Sequence, residues 1–334
     1  MNKYIVFAAS LFLTFLSCNK DQMNTVSSDR TPNNAVALTD TVKVPLIDLG
    51  TGTYRGYMGG LYPGGVNSPS GQYKKDLKAF AVAIKPLSGP GAVDSSVGKI
   101  VFISMGGSTG GRNMDSLKAK TLRYPKKNPY LKLINACNGG GDASLQQIAA
   151  PNTDYWTHVS QVILAAHSTL KQVQVVYLES EDSLSTLLGF PARPNQYKAD
   201  LEAAIRTCKV KLPNLKLVYV LGRTTTFGTT KTTNSEPCPY YNGWGNKFMI
   251  EDQINGVPGT EYKGPNAVAP MVTWAFYQWT NGSTVPRTTD GFVFDESLSY
   301  DGVHATPEGQ DSLSTRFQNF LITDRIANIW YKKH

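Results

Sequence analysis

The stretch Lys99-Ile-Val-Phe-Ile-Ser-Met-Gly-Gly-Ser-Thr-Gly-Gly111 joins an apolar run to a glycine-rich turn that carries a serine. The run is rich in β-branched residues, which predicts a strand buried on both faces of a sheet. The glycines allow the backbone to turn sharply after Met105, so that Ser108 can be held exposed beside backbone N–H groups. A phosphate-binding turn is the alternative, but no lysine follows as in a Walker loop and the spacing is not GxGxxG.

Apolar runs and helical patterns alternate along the chain. Further strands are predicted at 131–137, 173–178 and 215–221, and helices at 155–170, 196–212 and 270–279. Thr306 at an N-cap position, followed by Pro307, predicts the start of a last helix. This alternation predicts a parallel sheet covered by helices on both sides, with its site at the carboxyl ends of the strands.

Histidine is scarce in this chain, which has four. His158 and His167 lie in the predicted helix 155–170, and His334 is the last residue. His304 alone lies in a glycine-containing loop with an acidic neighbour, in the segment Asp301-Gly302-Val303-His304. It is therefore the candidate for a general base that works near neutral pH.

A serine, a histidine and an aspartate in these loops predict nucleophilic hydrolysis. The hydroxyl of Ser108 needs a base to remove its proton, and His304 is assigned that task. Asp301 would hold the imidazole in the correct tautomer and stabilise its charged form.

Three features together resemble the SGNH (GDSL-like) hydrolase superfamily: the block Gly106-Gly107-Ser108-Thr109, the glycines after the next strand, and the segment 301–304. The segments 59–65 and 250–256 also resemble a group of uncharacterised secreted bacterial SGNH-like proteins. The resemblance implies a flavodoxin-like three-layer α/β/α sandwich with a mostly parallel central sheet. It also implies esterase or acyl hydrolase activity without a metal or organic cofactor.

The resemblance implies an oxyanion hole built from the backbone N–H groups of Ser108 and of a glycine among residues 139–141, with Gly140 the central choice. The GxND block, which would supply a side-chain donor, is absent. Asn67 and Asn138 are alternative donors. A missing donor matters, because the loss of one typically costs about 10²–10³ in rate.

The nucleophile block itself departs from the family pattern. The aspartate that the family has between glycine and serine is Gly107 here, and a different register would make Ser104 the nucleophile. Ser108 is preferred because the apolar run reaches Met105 and the glycines of the turn follow it.

The N-terminus predicts export. Lys3 precedes the apolar residues 4–16, which are fewer than the roughly 20 needed to span a bilayer, and Leu16-Ser17-Cys18 resembles a bacterial lipobox. We expect a signal peptide (1–17), a flexible tether lipidated at Cys18 (18–43) and one hydrolase domain (44–334). The expected location is membrane-anchored, facing the periplasm or the cell exterior.

Composition excludes some partners and leaves others open. The formal net charge is +8, but the basic residues are scattered, which argues against nucleic-acid binding. Cys137, Cys208 and Cys238 follow the lipobox cysteine, and no CxxC spacing indicates zinc. A Cys208–Cys238 disulfide is possible.

Several polar and aromatic residues near predicted strand ends allow two interpretations. Arg223 could bind an acidic group or form a buried ion pair, and Glu179 with Glu181 are too close in sequence to flank a sugar from opposite sides. Glu251-Asp252 is interpreted as a solvated or helix-initiating pair. Four aromatics could stack on sugars or belong to the core: Trp244, Trp274, Trp279 and Tyr277.

These observations predict an exported SGNH-type serine esterase that acts on small or carbohydrate esters, the carbohydrate part resting on analogy. The alternative is an SGNH-like surface binding lipoprotein with little or no catalysis, which the absent GxND block and Gly107 favour.

Overall fold

A computed structural model describes residues 41–139, 143–182, 188–228 and 234–333. In these ranges, none of the helices is both long and apolar enough to cross a membrane. The elements in chain order are α1 (Leu46–Leu49), β1 (Thr53–Tyr54), β2 (Tyr57–Met58), α2 (Gly71–Val82), β3 (Ile100–Gly106), α3 (Ser108–Arg123), β4 (Leu131–Asn135), α4 (Leu145–Ala149), α5 (Asp154–Ala165), η1 (Leu170–Gln172), β5 (Val173–Glu179), α6 (Ala192–Lys211), β6 (Leu217–Val220), α7 (Cys238–Asn255), β7 (Met271–Trp274), η2 (Glu296–Leu298), α8 (Pro307–Thr323) and α9 (Asn328–Tyr331).

Five parallel strands form the central sheet in the order β4-β3-β5-β6-β7, and β1 and β2 form a separate antiparallel pair. Counted within the sheet, this is the 2-1-3-4-5 order of flavodoxin-like folds. The order reverses between β3 and β5, and such a switch point opens a crevice at the carboxyl ends of the strands. Gly106 and Glu179, the last residues of these two strands, are paired there.

Helices cover the sheet on both sides and bury its strands. Helix α3, which follows β3, packs on the C-terminal helix α8, while α6 packs against α4 and α7. Every residue of β3, β5, β6 and β7 is buried. Continuous apolar strands are what a sheet covered on both faces requires, so the predicted fold class is confirmed.

The strands predicted from apolar runs are present, each within a few residues of its expected limits. The last helix begins at Pro307, and the N-cap Thr306 accepts a hydrogen bond from the Gly309 N–H at 3.2 Å. The predicted helix 155–170 ends earlier, at Ala165. His167 lies outside it, in a left-handed backbone conformation with φ of 50°.

The helix predicted at 270–279 is wrong, because β7 (Met271–Trp274) occupies its first half. Its aromatic and aliphatic residues fit both periods, and short apolar runs do not separate strand from helix. Pairing with the edge of β6 makes this segment a strand and not a helix: Leu217 pairs with Met271 and Val220 with Trp274. The sheet thereby gains its fifth strand.

The Cys208–Cys238 disulfide does not form, and Cys137, Cys208 and Cys238 all remain as thiols. Cys208 is fully buried, and its Sγ lies 3.9 Å from Sδ of Met105. Its thiol therefore packs under β3 as an apolar group.

Replacement of Gly106 by alanine should destabilise the fold by about 3 kcal/mol. Its φ is 128°, and an added Cβ would lie 1.7 Å from the carbonyl oxygen of Glu179. Gly107→Ala is the matched control, since its φ is −92° and a Cβ there would meet nothing within 4 Å. Urea unfolding of both variants measures the difference, and equal losses would contradict the argument.

Candidate active site

The turn between β3 and α3 is clamped on both sides by hydrogen bonds. The N–H of Gly106 donates to the hydroxyl of Tyr155 at 2.8 Å, and the N–H of Gly107 donates to the carbonyl oxygen of Glu179 at 3.3 Å. Gly107 then acts as the N-cap of α3, and Ser108 is its first residue. The serine is thus delivered at the switch point of the sheet by a turn that β5 and α5 hold in place.

The start of α3 presents backbone donors beside Ser108. The first N–H groups of an α-helix lack acceptors inside the helix and carry the positive end of its dipole. In α3 the first intrahelical bond starts at Gly111, whose N–H donates to the carbonyl oxygen of Gly107 at 3.1 Å. The N–H groups of Ser108, Thr109 and Gly110 therefore lie outside the intrahelical ladder, where they can bind an oxygen that bears negative charge.

His304 lies within hydrogen-bonding distance of Ser108. Its Nε2 is 2.7 Å from the Ser108 Oγ, and its Nδ1 is 2.6 Å from Oδ2 of Asp301. A carboxylate only accepts, so Nδ1 carries the proton in the neutral ring and Nε2 accepts from the serine hydroxyl. This tautomer is the one that a base acting on Ser108 requires.

Asp301 is an ionised group held by several donors. Its Oδ1 accepts the N–H groups of Val303 at 2.9 Å and His304 at 2.7 Å, while Oδ2 faces the imidazole. Partial burial opposes ionisation, but these bonds outweigh it and lower the pKa of Asp301 to about 2. The carboxylate is therefore charged at any pH where the imidazole works.

Gly302 attaches the loop that carries this pair to the rest of the sheet. Its φ is 81°, and an added Cβ would lie 1.7 Å from the carbonyl oxygen of Phe227. The N–H of Phe227 donates to the carbonyl oxygen of Gly302 at 2.8 Å. The loop after β6 thus fixes where His304 stands relative to Ser108.

Two residues that sequence reasoning missed lie beside the imidazole. The ring of Tyr300 stacks on that of His304, with centroids 5.7 Å apart and planes 15° apart. The guanidinium of Arg112 lies 5.3 Å from the centroid of the Tyr300 ring. Two signals were available: Tyr300 precedes Asp301, and Arg112 is one helical turn beyond Ser108.

Ser104, the alternative nucleophile, does not face the histidine. It is completely buried, and its Oγ donates to Oδ1 of Asn135 at 3.1 Å. The other described histidines are also elsewhere: Nε2 of His158 lies 3.0 Å from the carbonyl oxygen of Cys137, and His167 accepts from Lys99 through its carbonyl oxygen. Only Ser108 and His304 are thus brought together among the described candidates.

The two alternative side-chain oxyanion donors occupy different places. The N–H of Asn138 donates to the carbonyl oxygen of Gly106 at 3.0 Å, which brings its loop to the nucleophile turn. Asn67 donates to the carbonyl oxygen of Ile47 and lines a cavity of about 350 Å³ beside β7. Because β7 is three strands from β3, roughly 14 Å at about 4.8 Å per strand, Asn67 does not serve Ser108.

Gly140, Cys18 and His334 lie outside the described residues.

The carboxylates at the end of β5 are structural. Glu179 is buried under the nucleophile turn, where its Oε2 accepts from Asn113 at 3.1 Å, from Gln278 at 3.0 Å and from the Tyr177 hydroxyl. These donors are neutral, so the carboxylate is satisfied by hydrogen bonds.

Arg223 forms the buried ion pair that was one of its two interpretations. Its Nη1 lies 2.5 Å from Oε2 of Glu181, whose Oε1 accepts from Asn242 at 2.6 Å. The four aromatics considered as sugar platforms are at most 3% exposed and belong to the core: Trp244, Trp274, Trp279 and Tyr277. Neither set is available to flank a sugar.

Known proteins resemble this chain in structure but not in sequence. No family model and no curated protein matches this sequence. Among solved structures, one provisionally described as an acylhydrolase from Bacteroides fragilis NCTC 9343 aligns at 12% identity over 75% of this chain and 97% of its own, with a TM-score of 0.36. A carbohydrate esterase family 3 structure from Talaromyces cellulolyticus aligns at 12% identity over 67% and 96%, with a TM-score of 0.33.

A third structure, provisionally described as a GDSL-like lipase from Parabacteroides merdae ATCC 43184, aligns at 12% identity over 69% of this chain and 97% of its own, with a TM-score of 0.32. At these identities and scores, inference about function rests on the geometry of the site.

Replacement of Asp301 by asparagine should lower the free energy of unfolding most above about pH 4, and progressively less as the pH falls to about 2. The fold lowers the pKa of Asp301 from its ordinary value of 3.8 to about 2, so its stabilisation is present above pH 3.8 and is lost as the pH falls to about 2. The side chain is 41% exposed, so the difference should stay below about 1 kcal/mol.

Urea unfolding at pH values between 2 and 7 measures this difference. Ser299→Ala is the control, since it removes a 3.1 Å hydrogen bond to the His304 carbonyl oxygen without removing a titrating group. The free energy of unfolding that Ser299→Ala loses should not vary with pH. If the loss for Asp301→Asn were equally constant, it would contradict the lowered pKa of Asp301.

Proposed function

We propose that this protein is a serine esterase of SGNH type, an acyl hydrolase that acts on small or carbohydrate esters. The observation that carries the proposal is the hydrogen-bonded series from Ser108 Oγ through His304 to Asp301, with distances of 2.7 and 2.6 Å. The series ends at the N-terminus of α3, at the switch point of a doubly wound sheet. A nucleophile, a base and an orienting carboxylate in this geometry suit acyl transfer.

In the first half-reaction, Ser108 Oγ attacks the ester carbonyl carbon while His304 Nε2 takes the hydroxyl proton. Asp301 stabilises the resulting imidazolium. The tetrahedral intermediate then collapses, and the alkoxide leaves with the proton from His304. In the second half-reaction, His304 takes a proton from water and the hydroxide attacks the acyl-serine. The second tetrahedral intermediate collapses, the proton passes from His304 to Ser108 Oγ, and the acid is released.

The negative oxygen of the tetrahedral intermediate would be bound by backbone donors. The Ser108 N–H at the start of α3 is one, and the Gly140 N–H is the proposed second. Support for a contribution from this segment is the bond from the Asn138 N–H to the carbonyl oxygen of Gly106, which holds Asn138 beside the turn that carries Ser108. Asn138 is the proposed side-chain donor in place of the absent GxND asparagine.

The rival function is a binding lipoprotein on the same scaffold without catalysis. It is favoured by Gly107, which stands where the family has an aspartate, and by the missing GxND block. The two functions differ in one measurable property, namely whether Ser108 is activated as a nucleophile.

A fluorophosphonate probe should label the protein at Ser108, and Ser108→Ala should abolish both labelling and ester hydrolysis. His304→Ala should lower hydrolysis by at least about 10³-fold, since the serine then has no base, and should shift the thermal midpoint by no more than about 3 °C. Peptide mapping of the labelled protein identifies the residue.

Ser116→Ala is the matched control, because Ser116 lies on the same helix and bonds to Ser314. It should retain full labelling. Absence of labelling in the wild type would leave the binding function standing, whereas labelling at Ser104 would move the nucleophile.

We also propose that the protein is a lipoprotein anchored through Cys18 and facing the periplasm or the cell exterior. Support comes from the lipobox-like Leu16-Ser17-Cys18, the preceding apolar segment and the polar stretch that follows. Cys18→Ala should release the protein from the membrane fraction or block its maturation, as fractionation and mass spectrometry would report. Unchanged membrane association, with no lipid on wild-type Cys18, would refute the anchor.

A further inference from the structure

Arg112 is an exposed cation that contacts Tyr300, the residue whose ring stacks on the proposed catalytic histidine. It follows Ser108 by four residues on α3, so the two side chains lie on the same face of that helix. Its guanidinium lies 5.3 Å from the centroid of the Tyr300 ring, which in turn stacks on His304. Ser108, His304, Tyr300 and Arg112 thus form one continuous surface.

The described part of the fold does not use the charge of Arg112 in an ion pair. Within the described ranges, no carboxylate lies within ion-pair distance of Arg112, and its side chain is solvent-exposed. Contact with Tyr300, which is itself 56% exposed, restricts the guanidinium without neutralising it. A guanidinium that is held in place, and that has no carboxylate partner among the described residues, is suited to bind a carboxylate through two hydrogen bonds.

The proposed mechanism determines which part of the substrate reaches this residue. His304 gives its proton to the departing alkoxide, so the alcohol part of the ester lies on the imidazole side of the reacting carbon. Tyr300 stacks on the imidazole, and Arg112 contacts Tyr300. The group that meets Arg112 therefore belongs to the alcohol and not to the acyl chain.

We propose that Arg112 and Tyr300 form a subsite for a carboxylate on the alcohol portion of the ester, so that the substrate class is esters of acidic hydroxy compounds. This inference rests on the proposed esterase function and specifies its substrate. Tyr300 orients the guanidinium, and Arg112 determines specificity.

The test compares two aryl acetates of the same shape, 4-acetoxybenzoate and 4-acetoxybenzamide, which differ in the charge of the alcohol part. The ratio of kcat/KM for the acid over the amide should fall about 10-fold in Arg112→Gln, mainly through a higher KM for the acid. Arg112→Lys should retain part of the ratio. The ratio in the wild type should shrink with added salt.

Arg123→Gln is the matched control, because it removes the same charge from the last turn of α3 and should leave the ratio unchanged. An unchanged ratio in Arg112→Gln would overturn the subsite. An equal fall for both esters would also overturn it, since Arg112 would then act on His304 through Tyr300 and not on the substrate.

A binding measurement separates this inference from the proposed function. In Ser108→Ala, NMR titration should give tighter binding of the acid than of the amide, and the added Arg112→Gln change should remove that difference. This result needs no turnover. Equal affinities for the two compounds in Ser108→Ala would overturn the subsite, even if the fluorophosphonate probe labels wild-type Ser108. Absence of labelling in the wild type would refute the esterase function without affecting the binding result.

Discussion

The close approach of β3 to β5 at their carboxyl ends is the constraint on which the site depends. The backbone of Gly106 lies so near the carbonyl oxygen of Glu179 that no side chain fits between them, and the N–H of Gly107 donates to that same oxygen. The switch point of the sheet therefore determines where the chain turns and where α3 begins. Because Ser108 is the first residue of that helix, its position follows from the pairing of two strands.

The support under this turn is polar, although it is buried. The carboxylate of Glu179 accepts hydrogen bonds from neutral donors on two other segments, Asn113 of α3 and Gln278 beyond β7, and from Tyr177 of its own strand. A buried carboxylate is costly unless such partners are present, and partners that come from distant segments require those segments to be packed correctly. The network thus ties the orientation of α3 to the strands on both sides.

Residue patterns were sufficient for the parts of the fold that local physics determines. Strand β3 and its turn were predicted because a buried parallel strand needs an unbroken apolar run and a tight turn needs glycine. His304 was chosen as the candidate base because the other histidines lie in or near a helical segment or at the terminus. Helix α7 escaped prediction because most of its residues are buried, including Asn246 and Lys247, so no polar face marks a helical period. Likewise, β7 was mistaken for a helix because pairing with β6, and not its own sequence, makes it a strand. The contact of Arg112 with Tyr300 was not predicted because it joins segments that are far apart in the chain.

Ser108 and His304 are separated by 196 positions in the sequence. Every strand of the central sheet except β3 lies between them in the chain. The loop that carries His304 is attached through Gly302 to the segment after β6, and α8, which follows it, packs on α3. The proposed nucleophile therefore has no base until β4, β5, β6 and β7 have joined the sheet and the C-terminal helix has docked. A chain that is still being synthesised would lack the proposed serine–histidine pair, since the order of the sequence delays its assembly until folding is nearly complete.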